Sequence, residues 1–185
     1  MAKKTWDPEF GPSYTPMEML DQGIFEGIYT AAIPNIPAKY KNHKNVLKRG
    51  SKPDVSINRF KIKSRQSLKE WERKGWIMTD KLGWFEWFVK YYEGRRLGDE
   101  DQKQIKRWRS FVARHQGQIT KSGQIKDLSK RTKQRQGLLQ WGWDSTDKFD
   151  EEQVKRNAKR IAKIAGAVIE EPSTESLSPS LRWLE

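Results

Sequence analysis

Four groups of side chains in this sequence have the types and spacing to do chemistry. Glu86 sits within Trp84, Phe85, Trp87 and Phe88. A carboxyl held among apolar rings has its pKa raised and can serve as a general acid. Lys90 lies one helical turn further on and offers a plainer role, an ion pair. His115, beside Arg114, is a candidate general base, although a lone His on a basic helix is more often structural. Asp99, Glu100 and Asp101 are carboxylates of the kind that hold a divalent ion in nucleases. Acids in the first turn of a helix are also explained by the helix dipole alone. The fourth group is cationic and is the best supported.

Residues 41–65 hold nine Lys or Arg against one Asp, a net +8, and residues 102–136 hold eleven against one Asp, a net +10. The whole chain of 185 residues carries +13, so everything outside these two segments is net −5. Solubility alone does not require charge to be gathered in this way. Concentrated positive charge interleaved with aromatic residues points to a polyanion, with nucleic acid ahead of any other. Candidate contacts to phosphate or base are Lys61, Lys63 and Arg65 in the first segment. In the second they are Lys103, Lys106, Arg107 and Arg114, then Lys130, Arg131, Lys133, Gln134 and Arg135. Arg95 and Arg96, after Gly94, join them, although Arg at a helix C-terminus is also favoured by the dipole. Gln134, Arg135 and Gln136 carry side chains that can reach base edges, at most two at a time because consecutive helical residues diverge. Most of the 9 Trp are expected in the core; Trp76, Trp143 and Tyr92 are the candidates for stacking on bases.

Other chemistry is excluded. With no Cys there are neither disulfides nor thiolate metal sites, and two His cannot build a multi-histidine centre. No phosphate-binding glycine loop, nucleophile motif or zinc spacing is present. No metal and no cofactor are expected. No apolar run approaches the length of a membrane span and the start lacks an apolar signal region, so the sequence predicts a cytoplasmic or otherwise intracellular setting, with nucleoid, nucleus or virion included.

The elements that must position these groups are mainly helical. The sequence predicts a small α-helical domain with an aromatic-rich core and a short β element near residues 55–63, from Val55, Ile57, Phe60 and Ile62. Residues 1–13 read as a flexible arm, 14–145 as the core domain with a basic loop at 34–54, 146–169 as a C-terminal helix and 170–185 as a polar tail. Thr15-Pro16-Met17-Glu18 is a capping box, and Ser67 to Glu70 is a second, opening a helix that Gly75 ends. Residues 83–93 form a helix apolar nearly all round and therefore buried. Asp99, Thr132 and Asp150 are expected to cap the three helices that come after it.

Several blocks also resemble a family of hypothetical proteins found in bacteria, phages and some eukaryotes. They are Gly23-Ile24-Phe25-Glu26-Gly27, Lys74-Gly75-Trp76-Ile77, Gly83-Trp84-Phe85-Glu86-Trp87 running on to Tyr91-Tyr92-Glu93-Gly94-Arg95-Arg96, Gln104-Ile105-Lys106-Arg107-Trp108, and Gln134-Arg135-Gln136-Gly137-Leu138-Leu139-Gln140-Trp141. The resemblance covers about residues 17–145 and implies a boundary near 145 but no activity. Similar sequences carry cysteines near 122–131, which this chain lacks, so no metal or redox role carries over.

The reading from sequence is a nucleic-acid-binding protein, DNA ahead of RNA, whose basic surface comes from residues 41–65 and 102–136. Its rivals are a nucleic-acid-processing enzyme using Glu86 or His115, and an assembly protein of a phage or ribonucleoprotein particle that meets a protein partner through its terminal arms.

Overall fold

A computed structural model describes residues 4–64 and 80–170. The capping box at Ser67, its helix, Arg65 and Trp76 lie outside them, as does most of the C-terminal tail. The fold is mainly α. Among the described residues six helices form: α1 (Pro16–Gln22), α2 (Ala38–Lys41), α3 (Trp84–Tyr92), α4 (Asp99–Lys121), α5 (Thr132–Gln140) and α6 (Glu151–Ala165). One two-stranded parallel sheet pairs β1 (Thr5–Trp6) with β2 (Val168–Ile169), in register Thr5 to Val168 and Trp6 to Ile169. None of these helices is long and apolar enough to cross a membrane.

Helix α3 is the centre. Seven of its nine residues are buried, Trp84 to Val89 and Tyr91, as expected of a helix apolar on most sides. Around it lie the apolar stripe of α4 (Ile105, Trp108, Val112 and Ile119), Leu138 and Leu139 of α5, and Val154, Ala158 and Ile161 of α6. These residues form one core, so residues 146–169 share their interior with the domain before them, and the implied boundary at 145 divides nothing in the packing.

Residues 4–13 are not an arm. Trp6 and Phe10 are fully buried, and the Trp6 indole donates to the Phe10 carbonyl at 2.7 Å. The Phe10 ring meets Phe88 at 5.3 Å and Trp108 at 5.1 Å, both edge-on, the geometry that aromatic quadrupoles favour. The segment lacks hydrophobic period because two large rings, held by a turn and a strand pair, do the anchoring. Gly11 allows the approach: a Cβ there would stand 1.9 Å from the Val154 carbonyl oxygen of α6.

The expected strand at 55–63 is also absent. Val55–Ile57 is a 3-10 turn, in which the Asp54 carboxylate takes the Ser56 N–H at 3.0 Å. Asn58 takes the Glu26 N–H at 2.7 Å and donates to the Ile62 carbonyl at 2.8 Å. Side chains of Asp and Asn thus satisfy the backbone that a ladder would otherwise occupy. Residues 34–54 hold the one-turn helix α2, whose Tyr40 is buried and donates to Glu93 Oε1 at 2.8 Å.

Helix ends agree with the sequence in part. Thr15 and Glu18 form the reciprocal capping box, and Asp150 accepts the Gln153 N–H at 2.8 Å. Asp99 and Thr132 are instead first helical residues, behind Gly98 and a left-handed Arg131.

Candidate nucleic-acid interface

The face of α4 beside its core stripe carries Gln104, Arg107, Phe111, Arg114 and His115 at intervals of one, two and three turns. Together with Lys106 and Ser110 this face forms one wall of a cleft of about 510 Å³. Trp84 and Phe85 of α3, Gly137 and Gln140 of α5, and Trp141, Phe25 and Ser64 close the rest. Among the described residues no carboxylate lines it.

Four rings of this lining form a column. Trp84 and Trp141 stack at 5.0 Å and 23°, Trp141 and Phe111 at 4.6 Å and 16°, and Phe111 and His115 at 4.3 Å and 43°. The column starts on the buried helix α3 and ends at the half-buried His115. The Trp108 indole donates to the Trp141 carbonyl at 2.8 Å and so fixes Trp141 from behind. Gln134 donates its amide N–H to His115 Nδ1 at 2.9 Å and to Gln118 Oε1 at 2.6 Å. An amide nitrogen can only donate, so His115 carries its ring proton on Nε2. Burial first, and the neighbouring Arg114 second, push the His115 pKa down, so the ring is neutral near pH 7. Lys103, Lys106, Arg114 and Lys133 are exposed and form no ion pair among the described residues.

No family model, no curated protein and no solved structure matches the chain.

The two cationic segments meet at one end. The Phe60 N–H donates to Gln136 Oε1 of α5 at 3.1 Å, and Ser64 shares the cleft with Lys106 and Arg114. Lys61 and Lys63 are exposed on this stretch, and the Lys61 ammonium reaches the Ser56 carbonyl. The beginning of the first segment lies instead against α1, where Asn45 donates to the Leu20 carbonyl at 2.8 Å and His43 pairs with Asp21 at 2.7 Å. Lys130 and Arg131 are exposed at the start of α5, with Arg131 donating to Gln134 at 3.2 Å.

Three expected contact residues serve the interior. Arg135 is fully buried. Its Nε donates to the Lys130 carbonyl at 2.8 Å and Nη2 to the Gln124 carbonyl at 2.6 Å, while Nη1 reaches Ser145 Oγ at 2.9 Å. The connection 122–131 is wrapped round this guanidinium. Arg95 makes a two-pronged pair with Asp80, at 2.9 and 2.5 Å. Arg96 lies 3.6 Å over the Tyr91 ring, with Nη1 2.6 Å from the Tyr91 carbonyl and Nη2 on the Thr5 carbonyl, and so fastens β1 to the end of α3. Gln136 is buried as well, donating to the Gly23 carbonyl at 3.0 Å, and Trp143 is fully buried. Neither has a face to offer a base.

The candidate catalytic groups divide. Glu86 Oε2 pairs with Lys90 at 2.7 Å and Oε1 accepts the Leu82 N–H at 3.1 Å, away from the cleft. His115 lines the cleft. Asp101 is a buried anchor that accepts the Trp87 indole at 2.8 Å and the Leu97 N–H at 2.7 Å. No cluster of three His, Asp or Glu suited to a metal occurs among the described residues. Sequence reasoning missed Phe25, Ser64, Phe85, Gln104, Ser110 and Gln140 as cleft residues. The legible signal was a second stripe on α4, running Gln104, Arg107, Phe111 and Arg114 beside the core stripe.

Proposed function

We propose that this protein binds nucleic acid, with DNA the form to test first, through the cationic rim of the cleft on α4 and the start of α5. The observation that carries this reading is the lining. Lys106, Arg107 and Arg114 border an aromatic-walled cleft into which no described residue places a carboxylate. Cations and half-buried aromatic rings side by side are the components of nucleic-acid contact, the first for phosphate and the second for bases. Lys103 on α4 and Lys130, Arg131 and Lys133 at the start of α5 are further exposed cations of the same segment. Lys61 and Lys63 are exposed on the first segment, just before Ser64 of the cleft lining.

Titration with labelled DNA and RNA at two salt concentrations tests this. The logarithm of the binding constant falls linearly with the logarithm of salt, by about 0.7 to 0.9 per phosphate neutralised. Lys106→Glu with Arg114→Glu weakens binding and flattens that slope. Absence of binding at low salt, or binding indifferent to salt, contradicts the proposal.

A further inference from the structure

The side of α4 turned directly away from its core stripe is a line of cations. Residues 103, 106, 110, 114, 117 and 121 recur at steps of three and four and so share one face. Lys103, Lys106, Ser110, Arg114 and Lys121 are all exposed on it. At 1.5 Å per residue, the line from Lys103 to Lys121 is about 27 Å long. The acids of α4, Asp99, Glu100 and Asp101, all stand in its first turn, ahead of the line. The four cations form no ion pair among the described residues. Gln134 donates to Gln118 at 2.6 Å and accepts from Arg131 at 3.2 Å, which brings the exposed Arg131 beside the far half of the line. We propose that this line lies along the phosphates of a DNA duplex, over roughly eight base pairs, without reading their sequence. The proposal rests on the nucleic-acid reading above and needs only its phosphate contacts.

Single-strand binders combine a cationic groove with rings on which bases stack. Here the rings of the cleft are engaged with one another. Trp141 is stacked by both Trp84, at 5.0 Å, and Phe111, at 4.6 Å, and Phe111 in turn meets His115 at 4.3 Å. Of the other stacking candidates, Trp143 is fully buried and Tyr92 lies against Trp6, with the Lys4 ammonium 5.9 Å from its ring. The side chains suited to base edges are engaged as well. Arg135 and Gln136 are fully buried, and Gln134 is bonded to His115, Gln118 and Arg131. Phosphate contact remains, and it favours the double helix. A duplex carries one charge per about 1.7 Å of its axis, twice the density of either strand within it. It is also stiff over about 150 base pairs, so it meets a rigid helix without the ordering cost that a flexible single strand bears. Contacts to phosphate position a protein on the duplex and carry no sequence information.

The intact chain is titrated across a range of salt with three labelled probes of equal length: a mixed-sequence DNA duplex, one of its strands alone, and a duplex of unrelated sequence. The duplex binds about tenfold tighter than the strand, and the two duplexes bind alike. Lys103→Ala with Lys121→Ala, at the two ends of the line, lowers the slope of log affinity against log salt by about 1.8. Lys155→Ala with Lys159→Ala, exposed on α6, makes the same change in net charge and leaves the slope as it was. Gly117→Glu sets an acid within the line at a position where nothing stands within 4 Å of the added Cβ, so it weakens duplex binding while the far-ultraviolet circular dichroism of the parent is kept. A strand that binds as tightly as the duplex, or a tenfold preference for one duplex sequence, overturns the proposal while salt-dependent binding stands. So does a slope lowered equally by the α4 and α6 pairs, or duplex affinity unmoved by Gly117→Glu. Absence of binding by every probe at low salt overturns the broader reading too.

Discussion

Arg135 shows how far a charge counted along the chain can lie from a charge on the surface. Its guanidinium has five donors in a rigid fork, and backbone carbonyls of the 122–131 connection take most of them. Arg135→Met removes those partners together and leaves buried carbonyls unpaired, so stability should fall by about 2–4 kcal/mol in denaturant unfolding. Arg135→Lys rescues little, because an ammonium cannot fill a fork. Lys133→Ala, two residues earlier and exposed, should stay within about 0.5 kcal/mol. Unchanged stability in Arg135→Met would contradict the clamp. His115 yields a second expectation. Its folded pKa is depressed below the ordinary value of about 6.5, chiefly by burial. The unfolded chain therefore takes up the proton first as pH falls. Stability from this group is present above about pH 6.5 and is lost as pH drops through the window down to the folded pKa. Denaturant midpoints at pH 7.5 and 5.5 should converge in His115→Gln relative to the parent; an identical decline in both would assign it to other groups.

At the scale of elements, the features legible in the sequence are those that obey a local rule. The capping box at Thr15, the Asp150 cap, the buried helix α3 and the core stripe of α4 each depend on spacing within one helix. The features that escaped depend on partners distant in the chain. Nothing in the Pro- and Gly-bearing start tells that Trp6 and Phe10 fill the core opposite α4, or that β1 pairs with β2 more than 160 residues later. The cleft escaped for the same reason, since it is assembled from α3, α4, α5 and the loops at Phe25 and Ser64. The β1 segment is therefore a structural element, and Trp6→Ala should destabilise the protein by about 3–5 kcal/mol. Gly11→Ala is the sharper test. Replacing Gly ordinarily stabilises by restricting the unfolded chain, but here the added Cβ collides with the Val154 carbonyl. A lower thermal midpoint is expected, and a higher one would mean that residues 4–13 do not sit against α6 as described.

For the whole molecule, the formal +13 overstates the available field in some places and understates it in others. Of the second cationic segment, Arg109 is paired with Glu151 and Arg135 is enclosed, while Lys103, Lys106, Arg114 and Lys133 remain exposed. In the first, the stretch from Phe60 to Ser64 packs on α5 and reaches the cleft at Ser64, while the start of the segment lies against α1. Sequence counting located the charge but could not sort anchoring cations from free ones, because that depends on which carbonyls and carboxylates the fold brings within reach. Phosphate binding is assigned to the free set. Its most direct test is the salt dependence of DNA binding by the parent protein and by the Lys106→Glu, Arg114→Glu double variant. Steep salt dependence is expected in the parent, with both weaker binding and a shallower slope in the variant. Equal affinity and slope in the two proteins would contradict the assignment.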